Sequence, residues 1–242
     1  MANFTFNTTS HIHQAVLDPT GHYIVFPDLG ADLVHVYSID PATGLLTEHT
    51  PLKSESGYGP RHAAFWSSGD ANSIYMSVIH ELSNKIVSFK VDYLESGGLA
   101  FCKIDEVSTY GDHETPVGAK AAEILVSPDK NYLVVSNRNA SIFEAPNPEP
   151  NNCTALPSDS LATFKLSPTG KLSFVQLAPS GGTFPRHFSM NHNGSLIAVA
   201  NQNSLNVNIY SRDVETGKIG DLVASASNLG PGGLTYVQWL QQ

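Results

Sequence analysis

The chain has 242 residues, 41% of them apolar, and carries 13 Lys and Arg against 22 Asp and Glu, a formal net charge of −9. That balance excludes a nucleic-acid surface or an anionic membrane face, since both need clustered basic side chains, and no apolar run is long enough to span a bilayer. Charged residues make up only 14% while Gly (19) and Pro (15) are plentiful, a composition suited to many short strands joined by turns.

The N-terminal stretch MANFTFNTTS lacks the charged start and apolar core of a signal peptide and has room for one short strand. From His13, HQAVLDPTGHYIVFPDLGADLVHVYSIDPATGLL predicts an apolar strand, a turn with Gly, a second apolar strand, a polar corner, a third strand, an acidic turn with T-G and a fourth strand. The same order begins again at Arg61 (RHAAFWSSGDANSIYMSVIHELSNKIVSFKVDYLESGGL) with small insertions. It starts a third time at Ala121 (AAEILVSPDKNYLVVSNRNASIF), where the insertion EAPNPEPNNCTALPSD delays the third strand, LATFKLSPTGKL. A fourth copy runs from Arg186 (RHFSMNHNGSLIAVANQNSLNVNIYSRDVETGKI), and the final GGLTYVQWLQQ reads as the first strand of one more unit.

Repeat starts lie roughly 50 to 65 residues apart, and four short strands per unit at that period fit propeller blades. No segment shows a helical period. The expected fold is therefore all-β, a β-propeller of four-stranded antiparallel blades occupying 1–242 as a single domain. It has four full repeats plus a closing strand, giving about five blades or a truncated seven-bladed ring. Closing a small ring, swapping strands with a partner and truncation of a larger ring all stay open. Open blade edges leave room for a homodimer.

In a propeller the first strand of each blade lines the central channel, so residues at one repeat position converge on one axis. The chain has four arginines, Arg61, Arg138, Arg186 and Arg212. Arg61 (GPRHAAF) and Arg186 (FPRHFSM) share a repeat position, and Arg138 follows a second strand in VVSNRNAS. His62 and His187 follow two of them; His11 and His13 open the first repeat, where strand alternation lets only one of the pair face the channel. Acids at comparable places are Asp28, Glu81 and Glu123. A cationic ring in an acidic protein points to an anionic ligand, since guanidinium binds carboxylate or phosphate bidentately, and His beside it can transfer protons near neutral pH. Pairing of these Arg and His side chains with Asp or Glu between blades is the structural alternative. His22, His35, His49, His113 and His192 fall on turns or outer strands and read as solvated.

No G-x-S-x-G elbow, phosphate-binding loop, dinucleotide fingerprint or H-E-x-x-H metal spacing is present. Cys102 and Cys153 form no CxxC pair, so two free thiols and one disulfide both fit. Sequons begin at Asn3, Asn7, Asn139, Asn152 and Asn193 and lean toward secretion, the missing leader toward the cytoplasm.

HIHQAVLDPTG, GPRHAAF, the ELSN stretch, AAEILVSPD, SNR, FPRHF and ANQ, in this order, resemble the seven-bladed β-propeller lactonase family, which includes propeller-type 6-phosphogluconolactonases and fungal carboxy-muconate cyclases. The resemblance runs from about His11 to the end and matches the C-terminal two-thirds of a family member. It implies radial four-stranded blades and activity on small anionic lactones with no cofactor. Carried over by position, the catalytic set is His13, Arg61, Glu81 and Arg138, and Arg186 and Gln202 match further channel-lining positions; with His62 and Glu123, read from the repeat itself, these two make up the expected substrate-binding set. His80 stands where the family has Asn before Glu81.

The leading expectation is a lactone hydrolase, or its reverse, a lactone-forming cycloisomerase. The arginines would hold a carboxylate or phosphate and stabilise the oxyanion, and His13 or Glu81 would move the proton. A repurposed cyclase of fungal secondary metabolism, acting on a larger apolar substrate, is a second reading. A non-catalytic binding propeller, with its patch at the 144–160 insertion, is a third.

Overall fold

The computed structural model describes residues 9–67, 73–147, 151–230 and 232–240. Every helix or strand among them is a strand, so no helix is long and apolar enough to cross a membrane. The strands form four antiparallel four-stranded sheets. The first contains β1 (Val16–Leu17), β2 (Tyr23–Asp28), β3 (Leu33–Ile39) and β4 (Leu46–Lys53), and the second β5 (Pro60–Ser67), β6 (Ile74–His80), β7 (Lys85–Tyr93) and β8 (Leu99–Ser108). The third is built from β9 (Lys120–Val126), β10 (Tyr132–Arg138), β13 (Ser160–Leu166) and β14 (Leu172–Pro179). The fourth has β15 (Pro185–Met190), β16 (Leu196–Asn201), β17 (Asn206–Arg212) and β18 (Ile219–Ala226). These are the four repeats expected, each a blade.

Local turn chemistry explains the regularity. Between first and second strands a short polar side chain accepts the N–H that opens the second strand: Asp18 Oδ1 from Tyr23 (2.8 Å), Ser127 Oγ from Tyr132 (3.1 Å) and Asn191 Oδ1 from Leu196 (2.9 Å). At the T-G turns, Asp40 accepts from Ala42 and Asp213 from Glu215, both at 2.8 Å. The second strands β6 and β16 are buried on both faces along nearly their whole length, and β10 throughout, all seven of its residues being buried.

The insertion before the third strand of the third blade is not shapeless. Its ends zip into a hairpin of β11 (Phe143–Ala145) and β12 (Leu156–Ser158), pairing Phe143 with Ser158. Of the sequons, Asn139, Asn152 and Asn193 are exposed, while Asn3 and Asn7 lie outside the described residues. Both cysteines are free and exposed.

Contacts divide the chain into two compact units, described separately. One takes in the described residues of Met1–Val107 with Ser167–Leu172; the other takes in those of Ser108–Leu166 and Ser173–Gln242. The first unit buries Val25, Val34 and Val36 against Ala63, Met76, Val78 and Phe89, packing the first blade on the second. The second unit buries Val134 and Leu161 against Phe188, Ile197, Val199 and Tyr210, packing the third blade on the fourth. Residues 232–240, expected to add a closing strand, form none; Val237 N–H donates to His187 Nδ1 (3.4 Å) and Trp239 Nε1–H to the Ser189 carbonyl (3.2 Å) beside β15.

Candidate active site

Strand register determines which residues share a repeat position. In the second blade pairing steps from Pro60↔His80 to His62↔Ile79, which makes Arg61 the extra residue of a β-bulge. In the fourth it steps from Pro185↔Asn201 to His187↔Ala200, which does the same for Arg186. The third blade has its irregularity between Val135 and Asn137, opposite Ala122 and Glu123. A bulge bends the strand and re-aims a side chain. The equivalence of Arg61 and Arg186 expected from sequence therefore has a backbone cause.

The same register corrects another expectation. Asp28, Glu81 and Glu123 do not occupy one comparable place. Asp28 bridges Ile12, as His80 and Asn201 pair with the prolines before the bulges. Glu81 shares its position with Gln202, since their N–H groups donate to Gly59 O (2.8 Å) and Phe184 O (2.9 Å). Arg138, one step beyond Asn137, falls there too. Glu123 matches His62 and His187.

In the first unit four predicted residues come together. Arg61, 1% exposed, donates through Nε to Glu81 Oε2 at 3.0 Å. Its Nη1 lies 3.3 Å from His62 Nε2, and that nitrogen lies 2.9 Å from His13 Nδ1. A buried guanidinium is costly unless paired; Glu81, 15% exposed, supplies the charge. Guanidinium offers only donors, so His62 Nε2 is the acceptor and His62 carries its proton on Nδ1. The same His62 nitrogen therefore faces both Arg61 Nη1 and His13 Nδ1. His13 is half-buried. Gln14 fixes the approach of the first blade by accepting the Ala63 N–H at 2.7 Å. His11 is exposed, and its backbone N–H donates to Asp28 at 2.7 Å.

The second unit holds the remaining predicted residues. Arg138, 2% exposed, donates through Nη2 to Ala121 O (3.0 Å), and its Cζ sits 4.7 Å from the centroid of Phe184. Glu123 is buried, 3.5 Å from His187 Nε2, and the His187 ring packs against Tyr236 with centroids 4.2 Å apart and the planes tilted by 37°. Arg186 is half-buried at its bulge, and among the described residues the buried Gln202 Oε1 accepts no hydrogen bond. A cavity of about 1140 Å³ opens beside β15, lined among others by Leu125, His187, Met190, Tyr236 and Trp239.

Several histidines differ from expectation. His35 lies 3.2 Å from Asp28 Oδ2 and His49 Nε2 lies 2.9 Å from Ser38 Oγ, so both are bonded rather than solvated; His22, His113 and His192 are exposed. His80 is 1% exposed and its Nε2 lies 3.0 Å from Ser54 Oγ, tying the strand end to the segment that enters its blade. Asn137 and Asn201 do the equivalent job by donating to Thr109 O (2.9 Å) and Ser180 O (3.0 Å). His80 thus replaces a structural amide, and burial pushes its pKa down to about 4. Sequence reasoning did not single out Phe184, a bulky residue at φ 65°, a conformation costing about 1–3 kcal/mol. The alignment of FPRHF on GPRHAAF, which sets Phe184 against Gly59, carries the signal.

Four-stranded blades with Arg, His and Glu at the bulged ends of repeated hairpins define a β-propeller with an enzyme-like polar cluster. The chain belongs to the family described as "Lactonase, 7-bladed beta-propeller", which matches residues 5–235. It is similar to the 6-phosphogluconolactonase of Formosa agariphila (31% identity, covering 88% of this chain and 54% of that one). Against the 6-phosphogluconolactonase of Bacillus subtilis it shows 29% identity over 90% of this chain and 54% of that one. Among solved structures it resembles a protein from Lactobacillus plantarum (33% identity, TM-score 0.72, 93% of this chain and 57% of that one). It also resembles the periplasmic gluconolactonase of Pseudomonas aeruginosa (26% identity, TM-score 0.72, 91% and 55%). The chain spans about half the length of the curated relatives it matches.

Proposed function

We propose that the chain hydrolyses the lactone of a small phosphate-bearing sugar acid, with the Arg61–Glu81–His62–His13 cluster at the reacting carbonyl. The observation that carries this reading is the buried Arg61 guanidinium, fixed by Glu81 and in hydrogen-bond reach of His62. Its fixed donors suit an oxyanion that appears only during reaction. Water attacks the carbonyl carbon while His13 takes its proton. The tetrahedral oxyanion is held by Arg61. The ring C–O bond then breaks, and the departing alkoxide takes the proton back from His13, leaving a hydroxy acid whose carboxyl group releases its proton to solvent. Glu81, already committed to Arg61, orients that side chain; in this assignment His13 is the better base of the two considered. His62 is assigned to the support of Arg61; in the second unit, taken by itself, Arg138 and Arg186 are assigned to binding an anion, with Glu123, Gln202 and His187 as their support. Ring closure by the same groups in reverse is the cycloisomerase alternative.

The test is the rate of ring opening of 6-phosphogluconolactone above its spontaneous hydrolysis. Turnover by the native chain, reduced about 10²- to 10³-fold in a folded Arg61→Ala variant, is expected. Native and variant proteins that both leave the rate at the buffer value would rule the reading out. Running the assay from the hydroxy-acid side decides the direction.

A further inference from the structure

We propose that Gln14 is a positioning residue, whose side-chain amide ties the first blade to the second at the place that seats His13 against His62. The proposal rests on the lactonase reading for the reaction that His13 serves. It rests on the fold of the first unit for everything else.

The hairpins identify the repeat position of Gln14. In the first blade Ile12 bridges Asp28 and Val16 pairs with Val25, so His13, Gln14 and Ala15 oppose only Phe26 and Pro27. The extra residue makes the same bulge as in the second blade. Ile12 stands in the place of Pro60, His13 in that of Arg61 and Gln14 in that of His62. In the third blade Ala121 pairs with Asn137 and Ile124 with Val135, which puts Glu123 at the same position.

The backbone N–H that follows this position finds a side-chain acceptor in both the second and the third blade. In the third, Ile124 N–H donates to the residue before it, Glu123 Oε1, at 3.0 Å. In the second that residue is His62, whose Nε2 faces Arg61 Nη1 and His13 Nδ1 instead. The acceptor for the Ala63 N–H comes from the neighbouring blade, Gln14 Oε1 at 2.7 Å. Ala63 is 3% exposed, and a donor buried there is costly to leave unpaired. Only the amide oxygen can accept an N–H, so the orientation of the amide is fixed.

This bond has a positional consequence. His13 and Gln14 are neighbours, and so are the residues they meet, His62 and Ala63. The His13 and His62 rings lie 4.9 Å apart between centroids, tilted by 55°. Within the first blade the segment is held by the His13 N–H on Pro27 O and the Leu29 N–H on His11 O, both at 3.0 Å. Gln14 adds a bond to the backbone of the second blade, where the ring contact joins side-chain tips alone. An amide does this without placing a carboxylate beside the imidazoles, which would favour their charged forms.

Gln14→Met removes the acceptor at nearly constant volume, and Gln14→Glu keeps it. In folded Gln14→Met, kcat for 6-phosphogluconolactone should fall about 10- to 100-fold with KM within about twofold, since a misplaced base loses most of its effect. Gln14→Glu should recover kcat to within about fivefold of native. Gln14→Asn, one methylene too short to reach Ala63, serves as the acceptor-free variant if the methionine variant does not fold. A second readout needs no turnover. The nuclear Overhauser contact between the ring protons of His13 and His62, assigned by its loss in His13→Gln and in His62→Gln, should vanish without the acceptor and persist in Gln14→Glu. Native kcat in a folded acceptor-free variant of an active enzyme overturns the proposal, as does an equal loss in Gln14→Glu or an Overhauser contact that survives without the acceptor. If the native chain opens no lactone, the lactonase reading falls and the Overhauser contact decides alone. Its loss without the acceptor and its persistence in Gln14→Glu keep Gln14 as the residue that seats His13; any other pattern removes it.

Discussion

Arg61 and Glu81 are 20 residues apart in the chain, yet Nε and Oε2 meet at 3.0 Å because the β-bulge at Arg61 turns its side chain back over the end of β6. The carboxylate spends one oxygen on holding a guanidinium that is 1% exposed, and the far side of that guanidinium reaches His62. Arg61→Lys keeps the charge but loses the planar fork. It should retain a small fraction of turnover, about tenfold or more above Arg61→Ala. Steady-state kinetics on both variants, with circular dichroism to establish folding, checks this order; equal activities would show that only charge matters.

The buried His80 makes stability pH-dependent. Burial pushes its pKa from 6.5 to about 4, so the unfolded chain takes up a proton where the folded chain does not. The contribution is complete above pH 6.5 and is lost as pH falls from there toward 4, with a limiting slope of about 1.4 kcal/mol per pH unit. His80→Asn, the residue type at the equivalent positions 137 and 201, should flatten that slope. Urea midpoints at pH 7 and pH 5 for the two proteins give the answer, and parallel losses would refute it.

Asp28 behaves as an anchor for the segment that carries His13. Burial alone would raise its pKa, but hydrogen bonds from Ser10, the His11 N–H, His35 and the Ala31 N–H hold it down to about 2. Its stabilisation is present above pH 3.8 and lost as pH falls toward 2. Asp28→Ala should cost about 2–4 kcal/mol by stranding several donors. It should also lower activity by freeing residues 11–13. Denaturant titration and hydrogen exchange at His11 and Leu29 measure both parts; a stable, fully active variant would contradict this role.

Arg212 is the contrasting arginine. Its Nη1 donates to Asp129 Oδ2 and to Gly194 O, both at 3.0 Å, and its Cζ lies 5.2 Å from the centroid of Tyr132. Arg212→Met should destabilise by about 2–4 kcal/mol, because Asp129 loses its partner. kcat and KM should stay at native values below the melting transition. A loss of turnover without a loss of stability would place Arg212 in the catalytic machinery instead.

The repeat was legible in the sequence because its marks are local. D-P-T-G, S-P-D-K and N-H-N-G each carry a short acceptor that bonds the N–H opening the next strand, and the T-G turns are closed by Asp40 and Asp213. From these marks alone the four blades, the equivalence of Arg61 and Arg186 and the delayed third strand of the third blade could be read. The closing strand could not, since an alternating apolar pattern does not show whether a ladder partner is available to 232–240.

What the tertiary structure alone decided lies in register and in packing across blades. A bulge has no sequence signature beyond its ladder pairing, so Asp28, Glu81 and Glu123 looked equivalent and are not. His35 read as solvated on a strand pattern, yet it meets Asp28 across a hairpin. His13 and His62 are 49 residues apart, and only the seating of the first blade on the second brings their ring nitrogens to 2.9 Å. Turn formation is governed by a few neighbouring residues and can be read along the chain. Side-chain contact across blades depends on the summed registers of several strands, which no single stretch of sequence encodes.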